Sequence, residues 1–177
     1  MRISVTGNNK AAWTPSRACV SLALALLAAG CSPPERPLVA IGKGSNAEIW
    51  ALLRTCSDDD PLREVVIGRS EETGETVEPG ALEGWSARPS GSVKGETQFS
   101  LFTLPKDWRG DVVSATKLAS EGDYSVSFAV GPNETVRYKG VVRFTAADVE
   151  GLAPGQWWAD GKAMSRAEFR TLANDSC

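Results

Sequence analysis

The clearest pattern along the chain is a two-residue alternation of apolar and polar positions that begins at Tyr124. Tyr124, Val126, Phe128 and Val130 alternate with Ser125, Ser127 and Ala129. Val136, Tyr138, Val142 and Phe144 alternate with Arg137, Lys139 and Arg143, and Gly140 falls on the apolar side. Successive side chains on a strand point to opposite faces, so each run predicts a strand with one buried face. Gly131-Pro132-Asn133-Glu134 between them is turn chemistry. The two runs therefore predict an antiparallel hairpin.

Weaker strand signals cover Ala47–Cys56, Leu62–Arg69, Leu82–Arg88, Thr97–Leu104 and Val112–Ala119. Ser57-Asp58-Asp59-Asp60-Pro61 reads as a solvated acidic turn, and Glu71–Gly80, with Gly74 and Pro79, as an exposed loop. Turn signals recur every roughly 8–15 residues without a competing long helical period, which predicts a mainly β fold, an antiparallel β-sandwich. Ser120-Glu121-Gly122-Asp123-Tyr124 resembles the corner of immunoglobulin-like sandwiches, where a tyrosine hydroxyl bonds back to the backbone beside a glycine turn. Ser120 stands where the antibody version has Asp, and no cysteine follows two after Tyr124.

The C-terminal pattern differs. Gln156-Trp157-Trp158-Ala159 and Lys162-Ala163-Met164 are joined by Asp160-Gly161, a two-residue hairpin signal. Ser165 then opens a helix, and Glu168 three residues later completes a capping box, with Met164 placed to staple to Phe169. Phe169, Leu172 and Ala173 form one apolar stripe, and Asn174 is the expected left-handed stop. A helix of about nine residues is not stable alone, so it needs packing against the sheet.

The start of the chain reads as a leader rather than as part of the fold. Arg2, Lys10 and Arg17 precede an apolar run from Ala18 that ends in Leu26-Leu27-Ala28-Ala29-Gly30-Cys31. That is a secretory signal. The run is about a dozen residues, and a spanning helix needs roughly 20. The cysteine after the small pair resembles the lipobox of bacterial lipoproteins, which implies cleavage before Cys31 and acylation of its thiol. The expected division is 1–30 leader, 31–37 proline-rich tether and 38–177 one β-rich extracytoplasmic domain. Ala28 stands three before the cysteine, where the lipobox prefers Leu. Two acyl chains on Cys31 give stable anchoring where one gives marginal binding.

Removing the first 30 of 177 residues leaves 147, one domain's worth. The leader carries three of the 19 basic residues and none of the 22 acidic ones, so the remainder has 16 against 22. An acidic body argues against nucleic acid as a partner. The chain has no histidine, which removes the commonest general base and transition-metal ligand. Of the four cysteines, Cys19 leaves with the leader and Cys31 carries lipid, so Cys56 and Cys177 are expected to pair in an oxidising compartment.

Candidate chemistry is sparse. Gly42-Lys43-Gly44-Ser45 lacks the spacing of a phosphate loop and reads as a loop before a strand. Asp58-Asp59-Asp60 lacks an EF-hand's spacing. The stretch Pro105–Gly110 around Trp108 reads as a loop, and Trp157 and Trp158 are adjacent on a strand. An exposed indole stacks on a sugar ring or anchors a protein partner, and the alternative is that these residues plug the sandwich.

The order of features resembles a group of small uncharacterised bacterial lipoproteins. They are the lipobox, an early strand with one cysteine, a Pro-Gly-x-x-Trp-x-Asp-Gly turn at Pro154–Gly161, and Ser165–Phe169 opening a helix that ends in Cys177. The resemblance implies no activity. The leading expectation is a non-enzymatic, lipid-anchored binding or scaffolding protein of the bacterial cell envelope. It needs no cofactor or metal, and its partners are the membrane through its anchor and an envelope protein or polymer. The alternatives are an envelope-polymer or carbohydrate-binding module, through Trp108, Trp157 and Trp158, and a hydrolase using carboxylates alone.

Overall fold

The computed structural model describes residues 32–44, 48–58, 60–70, 79–91, 93–111, 115–132 and 135–177. The expected leader and Cys31 lie outside the described residues, as do Asp59, 71–78 of the acidic loop and 112–114. In chain order the strands are β1 (Glu35–Arg36), β2 (Val39–Lys43), β3 (Ile49–Arg54), β4 (Leu62–Ser70), β5 (Gly84–Pro89), β6 (Glu96–Ser100), β7 (Trp108–Gly110), β8 (Asp123–Val130), β9 (Tyr138–Thr145), β10 (Gln156–Ala159) and β11 (Lys162–Ser165). Helix α1 (Ala146–Glu150) follows β9, and helix α2 (Arg166–Asp175) follows β11.

The strands form two sheets, ordered β1-β9-β8-β4-β5-β7 and β11-β10-β2-β3-β6. The predicted hairpin is the centre of the first sheet. β8 and β9 pair from Asp123↔Thr145 to Val130↔Tyr138, with the predicted apolar positions inward except Val136, which precedes β9 and is half-buried. The sheets face each other through one core. The Trp85 indole N–H of β5 donates to the Leu101 carbonyl at 2.9 Å. The Phe99 ring of β6 meets Trp85 and Trp108 with centroids 5.8 and 5.1 Å away. Paired residues share a sheet face. Ile41, Ala51 and Phe99, which are register partners in turn, therefore line the inner side of the second sheet. The fold is a β-sandwich, and among the described residues all strand pairs but one are antiparallel. The exception is β1, which runs parallel to β9.

The outer side of the second sheet is also buried. Ala40 and Leu52 are register partners there, and both are fully buried. Helix α2 covers this side with Phe169 and Ala173, also fully buried, and the Arg166 guanidinium lies over the Trp157 ring. The Ser165 and Glu168 capping box starts the helix as predicted. Asn174 does not end it. The helix runs on to Asp175 and is capped at Ser176, with the Asn174 side chain inside it accepting two hydrogen bonds from Arg54.

Several stretches differ from the sequence reading. Gly42-Lys43 belongs to a strand, not a loop. β2 is buried on both sides, so it shows no alternation, and Gly42 is there because the Trp157 ring lies where its Cβ would sit, 2.7 Å away. Trp108 is in a short edge strand. Thr97–Leu104 is a strand only as far as Ser100. The corner resemblance holds in its bond: the Tyr124 hydroxyl accepts the Ala119 N–H at 2.6 Å, and Gly122 has φ 111°.

Candidate functional site

Residues 33–37 of the expected tether are part of the body. From Pro33 the chain belongs to the compact unit that runs to Cys177. The Pro34 carbonyl accepts the Lys139 N–H at 3.0 Å, and β1 then pairs Glu35 with Lys139 and Arg36 with Gly140. Proline cannot donate to a ladder, yet its carbonyl still accepts, which lets Pro34 start an edge pairing. The Glu35 carboxylate takes a hydrogen bond from Arg143 at 2.9 Å.

Arg36 brings the tether to the disulfide. Cys56 and Cys177 are bonded, with Cα atoms 5.3 Å apart, inside the limit of about 7 Å for a bridge. Arg36 Nη1 donates to the Cys56 sulfur at 3.4 Å and to the Cys177 backbone oxygen at 3.1 Å. Its guanidinium also lies over the Tyr138 ring, 5.1 Å from the centroid. The Tyr138 hydroxyl accepts the Cys56 N–H at 2.8 Å and donates to Asp60 Oδ2 at 3.1 Å. Arg137 donates to the other oxygen, Asp60 Oδ1, at 2.9 Å. Burial, together with the Asp60 carboxylate, pushes the Tyr138 hydroxyl pKa up to about 12.

This corrects the reading of the acidic turn. Asp58 is exposed, but Asp60 is only 5% exposed and points inward to two partners. The nearest signals in the sequence are Arg137 and Tyr138, far along the chain, so spacing alone does not reveal the contact.

A half-buried carboxylate holds α2. Glu96, on the outer side of the second sheet, accepts from Arg170 at 2.8 and 2.9 Å and from Arg166, with Arg54 3.7 Å away. The Arg170 hydrogen bond is the main reason its pKa falls to about 2, despite partial burial. Asp60 and Glu96 are thus both held by arginine.

The three tryptophans do not share a surface. Trp157 is 9% exposed and lies beneath Arg166 on the α2 side. Trp158 points to the other side of β10, half-buried, and its indole N–H donates to the Arg143 carbonyl at 3.0 Å. Trp108, also half-buried, packs on Phe99 at the opposite edge of the sandwich.

Two features remain open. At the end away from the disulfide, a cleft of about 430 Å³ lies among Lys43, Ile49, Phe102, Lys117 and Val149, with Glu150 on its rim. The outer side of the first sheet carries small side chains in register, Val141, Ser127, Val66 and Ser86 in one row. Val66 is 41% exposed. Among the described residues no group of three or more His, Cys, Asp or Glu comes together as a metal-ligand set. None of the described helices is long and apolar enough to cross a membrane. Comparison with protein families, with curated proteins and with solved structures finds no match to this chain.

Proposed function

We propose that this chain is a lipid-anchored protein of the bacterial cell envelope whose folded body binds or scaffolds an envelope partner. The division of the cysteines carries the reading. Cys56 and Cys177 are bonded to each other, so after loss of the leader Cys31 is the one cysteine left to take lipid. A disulfide is also at home in the compartment to which such a leader delivers a protein.

The surface supports binding over turnover. Asp60 and Glu96 are committed to arginines, and Glu96 is held in its charged form far below the range of a general acid at neutral pH. The row through Val66 carries only short side chains and runs between Lys139, Arg143, Glu64 and Arg88 on the same face, which suits a protein or polymer laid along it. Trp157 lies under Arg166, and Trp108 and Trp158 sit apart, which weakens the case for a sugar-stacking platform.

Intact mass of the detergent-extracted protein tests the anchor. The expected mass is that of a chain starting at Cys31 plus acyl groups, and Cys31→Ser should leave the membrane fraction. An unmodified mass, or retention of residues 1–30, overturns the anchor. A photo-crosslinker placed at Val66 in intact cells tests the binding role. A discrete adduct, lost on Ser127→Arg and not formed from Thr116, is expected. Equal labelling from both positions would remove the case for this face.

A further inference from the structure

We infer that the disulfide end of the sandwich is the surface that meets the bilayer, and that the protein is held against lipid headgroups in one orientation instead of swinging on a leash. This rests on the anchoring reading above. It goes beyond that reading by stating which surface faces the lipid and which is presented away from it.

The argument is one of chain length and direction. Chain after Cys31 is fixed from Pro34 by the Lys139 N–H, by the β1 ladder, by Glu35 to Arg143 and by Arg36 to Cys56 and Cys177. Three residue steps separate Cys31 from Pro34. Fully extended, they span about 10 Å, and Pro33-Pro34 favours a stiff, extended path. That reach is about one Debye length at physiological salt. β1 is parallel to β9, so the chain comes in at the Tyr138 end of β9. The same end holds the disulfide, the Asp60 turn, and Gly131 and Pro132, which follow β8.

The opposite end carries the cleft, since Lys43 closes β2 and Ala146 follows β9. Eight strand residues at about 3.3 Å each put it roughly 26 Å further from the lipid. A flexible leash of a dozen residues would let either end approach the membrane. A three-residue leash attached to a docked strand does not.

The test uses full-length lipidated protein in phosphatidylcholine vesicles carrying a headgroup nitroxide. A fluorophore is attached at Pro132→Cys in one sample and at Thr116→Cys, an exposed position on the cleft rim, in another. Several-fold stronger quenching at 132 than at 116 is expected. A Gly-Ser insert of roughly a dozen residues after Ser32 should shrink that difference. Intact mass of the same samples separates the two ways of failing. Acylated protein quenched equally at both positions, or more at 116, overturns the orientation alone. An unmodified Cys31 overturns the orientation together with the anchor.

Discussion

The Tyr138 hydroxyl accepts the backbone N–H of Cys56 at 2.8 Å, so one strand of the first sheet holds the residue that bonds the end of the chain. The same hydroxyl donates to Asp60. The Cys56–Asp60 turn and β9 therefore meet at one phenol, and the disulfide adds the end of the chain. Tyr138→Phe leaves the Cys56 N–H without its acceptor and Asp60 with Arg137 alone, and should cost about 1–2 kcal/mol. The pH dependence follows from the raised pKa of about 12. The folded state keeps the proton after the unfolded chain, with a phenol near 10, has lost it. This contribution is complete below about pH 10 and fades between about 10 and 12. Alkaline denaturation followed by tyrosinate absorbance should show unfolding coupled to one late-titrating tyrosine, a coupling absent in Tyr138→Phe.

Cys177→Ser removes a link between residues 121 apart in sequence. Loss of a disulfide in a small secreted domain costs about 2–5 kcal/mol, with the division between entropy and enthalpy dependent on the account used. The loss should be felt first at residues 165–177, since α2 is short and returns to the sheet through this bond. Hydrogen exchange should show faster exchange there than in β8 and β9. Thiol counting on the denatured, unreduced protein, which the proposed anchor would leave starting at an acylated Cys31, should give no reactive thiol, and two would contradict the bond.

Gly140 lies beneath the Phe128 ring, its direct partner across β8 and β9, and a Cβ at this position falls well inside contact distance of that ring. Gly140→Ala forces Phe128 from its place against Tyr138 and should cost about 1–3 kcal/mol. Phe128→Leu in the same chain should recover part of the loss. Simple additivity in the double-mutant cycle would show that the glycine is needed for another reason.

The parts of the fold legible in the sequence are those whose signal is local. Period-two alternation marked β8 and β9, Asp160-Gly161 marked the last hairpin, and Ser165 with Glu168 marked the start of α2. Thr145 and Asp148 form a second capping box, but the helix it opens, α1, is at five residues too short to show an apolar stripe. What was hidden depends on distant partners. β1 is two residues after a pair of prolines and exists through β9. β2 lacks alternation because α2 covers its second side. Asp60 sits among three aspartates, and its inward turn is set by Arg137, 77 residues away. The cysteine pairing was legible because elimination left two, whereas the arginine that joins them to β1 was not.

Glu96 supplies the sharpest acid-range prediction. Its carboxylate joins β6 to α2 through Arg166 and Arg170, with Arg54 of β3 alongside. The folded pKa near 2 lies below the usual carboxylate value, so the charged form is bound more tightly in the fold than in the unfolded chain. The resulting stability is present above about pH 4.5 and is lost as pH falls through about 2. The arginines are half-exposed, and water and salt weaken their side of the contact. Glu96→Gln keeps the shape but loses the charge, and should cost about 1–2 kcal/mol at neutral pH. Acid titration followed by hydrogen exchange should show α2 loosening before the sandwich in the parent chain, and already loose at neutral pH in Glu96→Gln. With the disulfide still closed, Cys177 keeps the helix end near Cys56, so the looseness should concentrate around Arg166 and Arg170. Equal acid sensitivity in parent and variant would mean that Phe169 and Ala173, buried against the sheet, hold the helix without help from Glu96.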